Sequence, residues 1–145
     1  MTYKVSLDYE GFKEKPNKEG FISISNRIAG QKVEKTLQEL AMEIGETGHS
    51  FSPIIFSGNK RQQKYFQEMQ LFVLDFDDNI DYQITKIKCQ SLGLPILFSY
   101  QTLSARPDYQ KYRVVLCHVV SVKDGGLADL ILKMLKVMFP EADKL

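Results

Sequence analysis

The sequence predicts an α+β domain in which a sheet is covered on one face by helices. Residues 70–76 are rich in apolar β-forming side chains, as expected of a strand buried on both faces. Residues 95–100 and 111–120 form two more apolar strands with a short connection, which favours an antiparallel pair. Residues 125–139 place apolar side chains at helical spacing. Strands and helices that each bury one face predict an α+β sandwich.

Length and composition set limits on the kind of protein. The chain has 145 residues, of which 43% are apolar, so we expect one domain, 1–145, with a substantial core. A net charge of +1 means that any nucleic acid would be held by a local patch. With no membrane-length apolar run and no signal core at the start, we predict a cytoplasmic protein without membrane contact. Cys89 and Cys117 lack a CxxC or Cys/His partner, so we expect reduced thiols and no zinc.

The N-terminal part, residues 1–57, is predicted as an α/β extension. Residues 1–20 are polar and contain a Pro and a Gly within a mixed-charge run, which predicts a loop. Residues 21–24 predict a short strand. Residues 31–45 have apolar side chains at helical spacing, which predicts an amphipathic helix. Residues 51–56 predict an edge strand, because the Pro within it cannot donate a ladder hydrogen bond.

The remaining part, residues 58–145, contains the sheet. A helix is expected from Asp81 to Gly93, with Ile80, Ile84 and Ile87 on one face. The final helix is expected to be capped by Asp124, to end before Pro140, and to bury one apolar stripe. That stripe is Leu127, Leu130, Ile131, Met134, Leu135 and Met138. A split β-α-β sheet needs a further strand after this helix, so we expect the chain to be C-terminally truncated.

Carboxylates follow the first strand of this sheet. Side chains alternate along a strand, so Asp75 and Asp77 point the same way while Phe76 returns to the core. Two carboxylates held together on a rigid element are costly without a cation between them, and oxygen ligands suit Mg²⁺ or Mn²⁺. The alternative is that these acids only hydrate the end of the strand, since short acidic motifs are common.

Five segments, in this order, resemble the primase-polymerase domains of the archaeo-eukaryotic primase superfamily. The resemblance is to the versions found in replication proteins of plasmids, phages and integrated mobile elements. The segments are Gly48–Pro53, Leu74–Asp77, Gly93–Phe98, Lys111–Val115 and Phe139–Asp143.

The resemblance implies a sheet like that of the RNA-recognition motif and a DNA primase or polymerase activity. It implies that Asp75, Asp77 and Asp143 are catalytic and hold two Mg²⁺ or Mn²⁺ ions. The implied substrates are nucleoside triphosphates and a single-stranded DNA template, and the implied partner is a helicase domain or another replication protein. We therefore expect a metal-dependent nucleotidyltransferase that makes primers for a mobile genetic element.

The nucleotide contacts are less complete than the resemblance implies. Many members of the superfamily carry a His on the strand pair, but Thr102–Arg106 contains none. We expect Ser104, Lys111 and Arg113 to take its place. The planar fork of Arg113 can grip a phosphate in a bidentate manner, and Lys111, two residues earlier, would share its face. The alternative is that both cations protect a sheet edge.

A second basic segment precedes the acidic strand. Lys60, Arg61 and Lys64 follow a turn and lead into that strand. We expect them to contact nucleic-acid phosphates, although a hydrated connector would have the same composition.

Two other functions remain open at this point. A phosphatase of the haloacid-dehalogenase kind would use Asp75 as its nucleophile, but its motif continues with Gly-Thr or Gly-Val where this chain has Asp78 and Asn79. A non-catalytic module that binds single-stranded DNA could keep the same sheet without the chemistry. The missing His favours that second possibility.

Overall fold

The computed structural model describes residues 1–11, 17–19, 24, 27–46, 49–57 and 63–144. Its strands are β1 (Thr2–Gly11), β2 (Lys32–Thr36), β3 (His49–Ser52), β4 (Ile54–Phe56), β5 (Phe66–Phe76), β6 (Ile96–Gln101), β7 (Tyr112–Val122) and β8 (Asp143–Lys144). Its α-helices are α1 (Leu37–Ala41), which continues as a π-helical turn (Met42–Glu46), α2 (Tyr82–Ser91) and α3 (Gly125–Met138). The α+β class is confirmed.

The larger sheet has the split β-α-β topology. Its strands lie in the order β8-β5-β7-β6, every neighbouring pair is antiparallel, and β4 pairs with the first half of β5. β5 and β6 are therefore parallel and are separated by β7, with α2 as the crossover. The strand that we expected to lie beyond the end of the chain begins within it, at Asp143, and pairs with β5.

One face of this sheet packs against α2 and α3. Phe72, Leu74 and Phe76 of β5 alternate toward this side and are at most 2% exposed. Cys89 from α2 and Leu135 from α3 are buried in the same cluster. Both helices thus lie on one face, as predicted.

The other face is also covered, which the predicted two-layer sandwich did not include. A smaller antiparallel sheet, in the order β2-β1-β3, packs on it. Val5 and Leu7 of β1 share a buried cluster with Leu71 and Val73 of β5. The described part of the chain therefore has three layers: helices, a five-stranded sheet and a three-stranded sheet.

The N-terminal predictions are largely wrong. Residues 2–11 form a strand and not a loop, because Tyr3, Val5 and Leu7 alternate toward the core. The predicted helix over 31–45 begins as β2, and α1 starts only after Thr36. Thr36 Oγ1 accepts a hydrogen bond from the Glu39 backbone N–H, and Glu39 Oε1 accepts one from the Thr36 N–H. This capping box marks where the helix can begin.

Other boundaries differ in informative ways. The predicted strand over 51–56 is divided at Pro53 into β3 and β4, which lie in different sheets. Of the predicted strand over 21–24, Ile24 is helical, and Phe21 and Ile22 lie outside the described residues.

The helix α2 begins and ends where predicted but buries a different face. Asp81 caps it, and Gly93 follows it with a φ of 69°, as is usual after a helix. Ile84 and Ile87 are more than 60% exposed, whereas Thr85 and Cys89 are buried.

The predicted stripe of α3 is partly wrong in the same way. Leu135 is buried, but Leu127, Leu130 and Met134 are about half exposed. None of the helices in the described ranges is both long and apolar enough to cross a bilayer.

Candidate active site

Asp75 lies at the rim of the middle sheet, on the face that points away from α2 and α3. Its neighbours Leu74 and Phe76 point into the helix-side core, so alternation turns Asp75 the other way. Its side chain is 13% exposed. In the pairing of strands, Asp75 lies opposite Arg113 on one side and opposite Asp143 on the other. Tyr100 lies opposite Arg113 in turn.

These four residues form one row across the sheet. Residues that lie opposite each other on antiparallel strands point to the same face, so the row runs Asp143, Asp75, Arg113, Tyr100. Two like charges directly opposite each other destabilise a sheet. The fold thus places two carboxylates side by side in a position where they repel each other.

The contact between Arg113 and Asp75 is long. The distance from Arg113 Nε to Asp75 Oδ1 is 3.4 Å, and Arg113 Nη1 donates a hydrogen bond of 3.4 Å to the Tyr100 hydroxyl. Asp75 Oδ1 and Arg113 Nε are both buried and neither makes a hydrogen bond. Buried polar atoms without partners are costly and uncommon. Two such atoms therefore face each other at the rim.

The surroundings of Asp75 shift the pKa of its carboxyl in opposing directions. Burial raises the pKa of the Asp75 carboxyl above its ordinary value, and the Arg113 guanidinium opposes this change. The neighbouring carboxylates of Asp77 and Asp143 raise the same pKa further. The structure thus brings Asp75 within electrostatic range of both other predicted catalytic acids. A cation placed among these acids would relieve their repulsion.

The residues at the rim fit a divalent metal by their chemistry. Carboxylate oxygens are the ligands that Mg²⁺ and Mn²⁺ prefer, and Asp75 Oδ1 has no hydrogen-bond partner that a metal would have to displace. Arg113 is the competing cation at this oxygen. Within the described ranges, no three His, Cys, Asp or Glu side chains already surround a point where a metal could sit. Binding therefore requires side-chain rotation of the acids.

Of the three residues predicted to contact a nucleotide, Arg113 lies beside Asp75. The ammonium of Lys111 instead lies 5.6 Å from the ring centroid of Tyr109. Ser104 lies in the loop between β6 and β7, at residues 102–111. Those two residues therefore belong to the loop beside the acids and not to the row itself.

Lys64, the described residue of the predicted basic segment, does not lie near the acids. Lys64 lies in a 3-10 turn immediately before β5, whereas Asp75 lies near the other end of that strand. At about 3.3 Å per residue, the two are roughly 30 Å apart. Lys60 and Arg61 lie outside the described residues.

Sequence reasoning missed two residues that fix the loop beside the acids. Asn79 has a φ of 55°, and its Oδ1 accepts a hydrogen bond of 2.7 Å from the Gln110 backbone N–H. Gln110 Oε1 accepts one of 2.9 Å from the Tyr82 N–H. The Asn that follows the acidic run was a signal for a left-handed turn, since Asn tolerates that conformation better than most residues. Gln110 had no such signal.

A cleft of about 470 Å³ opens beside the row, between the start of α2 and the base of the β6–β7 hairpin. It is lined by Asp81, Tyr82, Gln83, Ser99, Tyr100, Gln101, Gln110, Lys111 and Tyr112. Tyr100 belongs both to the cleft and to the row.

Comparison of this chain with family models, curated proteins and solved structures finds no match.

Proposed function

We propose that this chain is a metal-dependent nucleotidyltransferase domain, a DNA primase-polymerase. It would synthesise primers on single-stranded DNA in the cytoplasm, during replication of a mobile genetic element and together with a helicase or another replication protein. The observation that carries the proposal is the row of Asp143, Asp75 and Arg113, with Asp77 close enough to raise the pKa of Asp75. Residues far apart in the sequence meet at one rim that is poorly satisfied without a ligand.

The residue types suit the reaction. A 3′-hydroxyl attacks the α-phosphate of a nucleoside triphosphate in line, and pyrophosphate leaves. Two divalent ions held at the rim would supply the charge that activates the attacking oxygen and stabilises the leaving group. Asp75, Asp77 and Asp143 would hold these ions. Asp75 and Asp143 approach from adjacent strands, so their separation is fixed by strand pairing and not by a loop.

Arg113 has a second role in this proposal. Its guanidinium lies 3.4 Å from Asp75 and is the main charge that opposes the rise in the pKa of that carboxyl. A metal on Asp75 would replace Arg113 as the counter-charge, and Arg113 would then be available for a phosphate. Its planar fork suits phosphate oxygens better than the single ammonium of a Lys would. The Tyr100 hydroxyl would limit the orientations that Arg113 can adopt.

A second candidate function is a non-catalytic module that binds single-stranded nucleic acid. It is favoured by the Asp75–Arg113 contact, which already gives the carboxylate a counter-charge. It is also favoured because the described residues contain no ready-made group of three metal ligands. In this alternative, nucleic-acid binding is independent of both the metal and Asp75.

Primer synthesis separates the two functions. A single-stranded template is incubated with labelled NTPs or dNTPs and Mg²⁺ or Mn²⁺, and extended products are measured. We expect Asp75→Asn and Asp77→Asn to reduce synthesis by at least about 10³-fold, since both would remove metal ligands. Asp129→Asn, on the outer side of α3, is the matched control and should retain activity. Unchanged synthesis by Asp75→Asn would overturn the proposal.

A further inference from the structure

The loop between β6 and β7 is tightly organised. The Thr102 N–H donates to the Lys111 carbonyl at 3.0 Å, which closes the loop at its base. Arg106 and Tyr109 exchange two backbone hydrogen bonds of 3.1 Å each. The Ala105 N–H donates to the Thr102 carbonyl at 3.0 Å. The side chains that this loop carries therefore project from a defined backbone.

Two cations of this loop lie near the ring of Tyr109. The guanidinium carbon of Arg106 lies 5.5 Å from the ring centroid, and the ammonium of Lys111 lies 5.6 Å from it. Aromatic rings interleaved with basic side chains are the elements with which proteins bind single-stranded nucleic acid. The ring can stack on a base, and the cations can contact the adjoining phosphates.

A purely structural role explains these cations poorly. Arg106 is 67% exposed, and its ion pair with Asp108, at 3.8 Å, joins two exposed side chains and so contributes little to stability. Two like charges on one ring also repel each other. An anionic ligand between them would remove this repulsion.

The loop is held beside the acidic rim. The hydrogen bond from the Gln110 N–H to Asn79 joins the loop to the turn that follows β5. Asp77 and Asp78 lie in that same turn. A strand bound along the loop would thus run next to the acids.

The neighbouring cleft carries side chains that can form hydrogen bonds with a base. Three of its lining residues, Gln83, Gln101 and Gln110, carry side-chain amides. Amides both donate and accept hydrogen bonds, as the edges of bases do. Lys111 also lines the cleft, so one cation is shared by the cleft and the loop.

We propose that the β6–β7 loop and the adjoining cleft bind a single strand of nucleic acid. Tyr109 stacks on a base, and Arg106 and Lys111 contact phosphates. The inference rests on the proposed function for the direction of the strand toward Asp75, but binding itself does not require catalysis.

Binding is measured by the anisotropy of a labelled single-stranded oligonucleotide mixed with the whole chain in Mg²⁺. Tyr109→Ala should weaken binding on the order of 10-fold, because it removes a stacking ring, whereas Tyr109→Phe should stay within about 2-fold. Arg106→Ala and Lys111→Gln should each reduce the slope of log K against log salt by about 0.7.

Lys133→Ala is the matched control. Its ammonium is also an exposed cation, but it pairs with Asp129 on α3 and not with a ring of the loop. It should leave both the affinity and the salt slope unchanged. Circular dichroism of each variant confirms that a loss of binding is not a loss of folding.

Two results would overturn the inference: wild-type affinity in both Tyr109→Ala and Lys111→Gln, or displacement of the oligonucleotide by an equal concentration of a single nucleoside triphosphate.

The outcomes also separate the two proposals. Loop variants that lose binding, in a protein that synthesises nothing, support the loop site and contradict the catalytic function. Loop variants with unchanged affinity, in a protein whose synthesis depends on Asp75, contradict the loop site alone.

Discussion

The two ends of β5 each bury a carboxylate, and the two carboxylates have opposite surroundings. The side chain of Glu68, near the start of the strand, is 10% exposed, and that of Asp75 is 13% exposed. Glu68 accepts hydrogen bonds from the Ser121 hydroxyl at 2.7 Å and from the Lys4 ammonium at 3.3 Å. Asp75 Oδ1 accepts none. The exposed fractions are similar, but burial has the largest influence on the Asp75 carboxyl, whereas hydrogen bonding has the largest influence on that of Glu68.

The pKa values differ in direction for the same reason. The hydrogen bond from Ser121 lowers the pKa of Glu68, burial opposes this, and Lys4 lowers it further. At Asp75, burial raises the pKa and the nearby acids add to the effect. A satisfied buried acid stabilises the join between the two sheets, whereas an unsatisfied one is typical of a functional site. The comparison therefore supports the Asp75 end as the candidate site.

The largest difference in stability is expected between substitutions at these two acids. Glu68→Gln should lower the free energy of unfolding by about 1–3 kcal/mol, because it weakens two charge-assisted hydrogen bonds. Asp75→Asn should change it by less than about 1 kcal/mol, because the lost contact with Arg113 is offset by relief of repulsion from Asp143. Urea unfolding of both variants measures the difference. Equal destabilisation would contradict the comparison.

A smaller effect is expected where the loop joins the Asp75 end. Asn79→Gly keeps the left-handed backbone but removes the hydrogen bond to Gln110, so it should cost about 1 kcal/mol of stability. Asn79→Ala should cost about 1 kcal/mol more, since alanine tolerates the left-handed conformation less well than asparagine or glycine does. Urea unfolding ranks the three proteins. An Ala variant as stable as the Gly variant would show that the backbone there is not constrained.

The decline of the unfolding free energy at acid pH should include a contribution from Glu68. Its folded pKa lies below the unfolded value of about 4.3, so its stabilisation is fully present above that value. This contribution is lost as the pH falls through the folded pKa. Glu68→Gln should therefore show a shallower decline in unfolding free energy between about pH 5 and pH 3 than the wild type.

The smallest effect is expected at Lys4. Its side chain is 56% exposed, and exposed ion pairs contribute less than about 1 kcal/mol. Lys4→Met should therefore destabilise the protein less than Glu68→Gln does, because Ser121 still donates to the carboxylate. Thermal unfolding of both variants tests the order, and a larger loss for Lys4→Met would reverse it.

The sequence predicts the parts of this fold that have long, regular patterns. β5, β6, β7, α2 and α3 are recovered because their apolar residues recur over many positions. β1 is missed because an alternating segment among charged residues resembles a loop until a distant partner is known. β2 is missed because its residues fall within the apparent helical spacing of 31–45. The two residues of β8 are too few to carry a pattern.

The sequence predicts which residues belong to the candidate site, but not which of them are in contact. The convergence of Asp75 and Asp77 follows from strand alternation, and Asp143 comes from the resemblance. The contact between Asp75 and Arg113 depends on strand register, which shifts between Met69 and Leu71, and no local pattern sets that shift. The hydrogen bond between Asn79 and Gln110 also joins residues that are far apart in the sequence, so no local pattern predicts it.

Direct binding of Mn²⁺, followed by calorimetry and by paramagnetic resonance of the ion, tests the metal site without requiring any catalysis. We predict saturable binding to the wild type and to Asp129→Asn, a matching rise in the unfolding temperature with Mn²⁺, and loss of both in Asp75→Asn and Asp77→Asn. Wild-type Mn²⁺ affinity in Asp75→Asn would contradict the account.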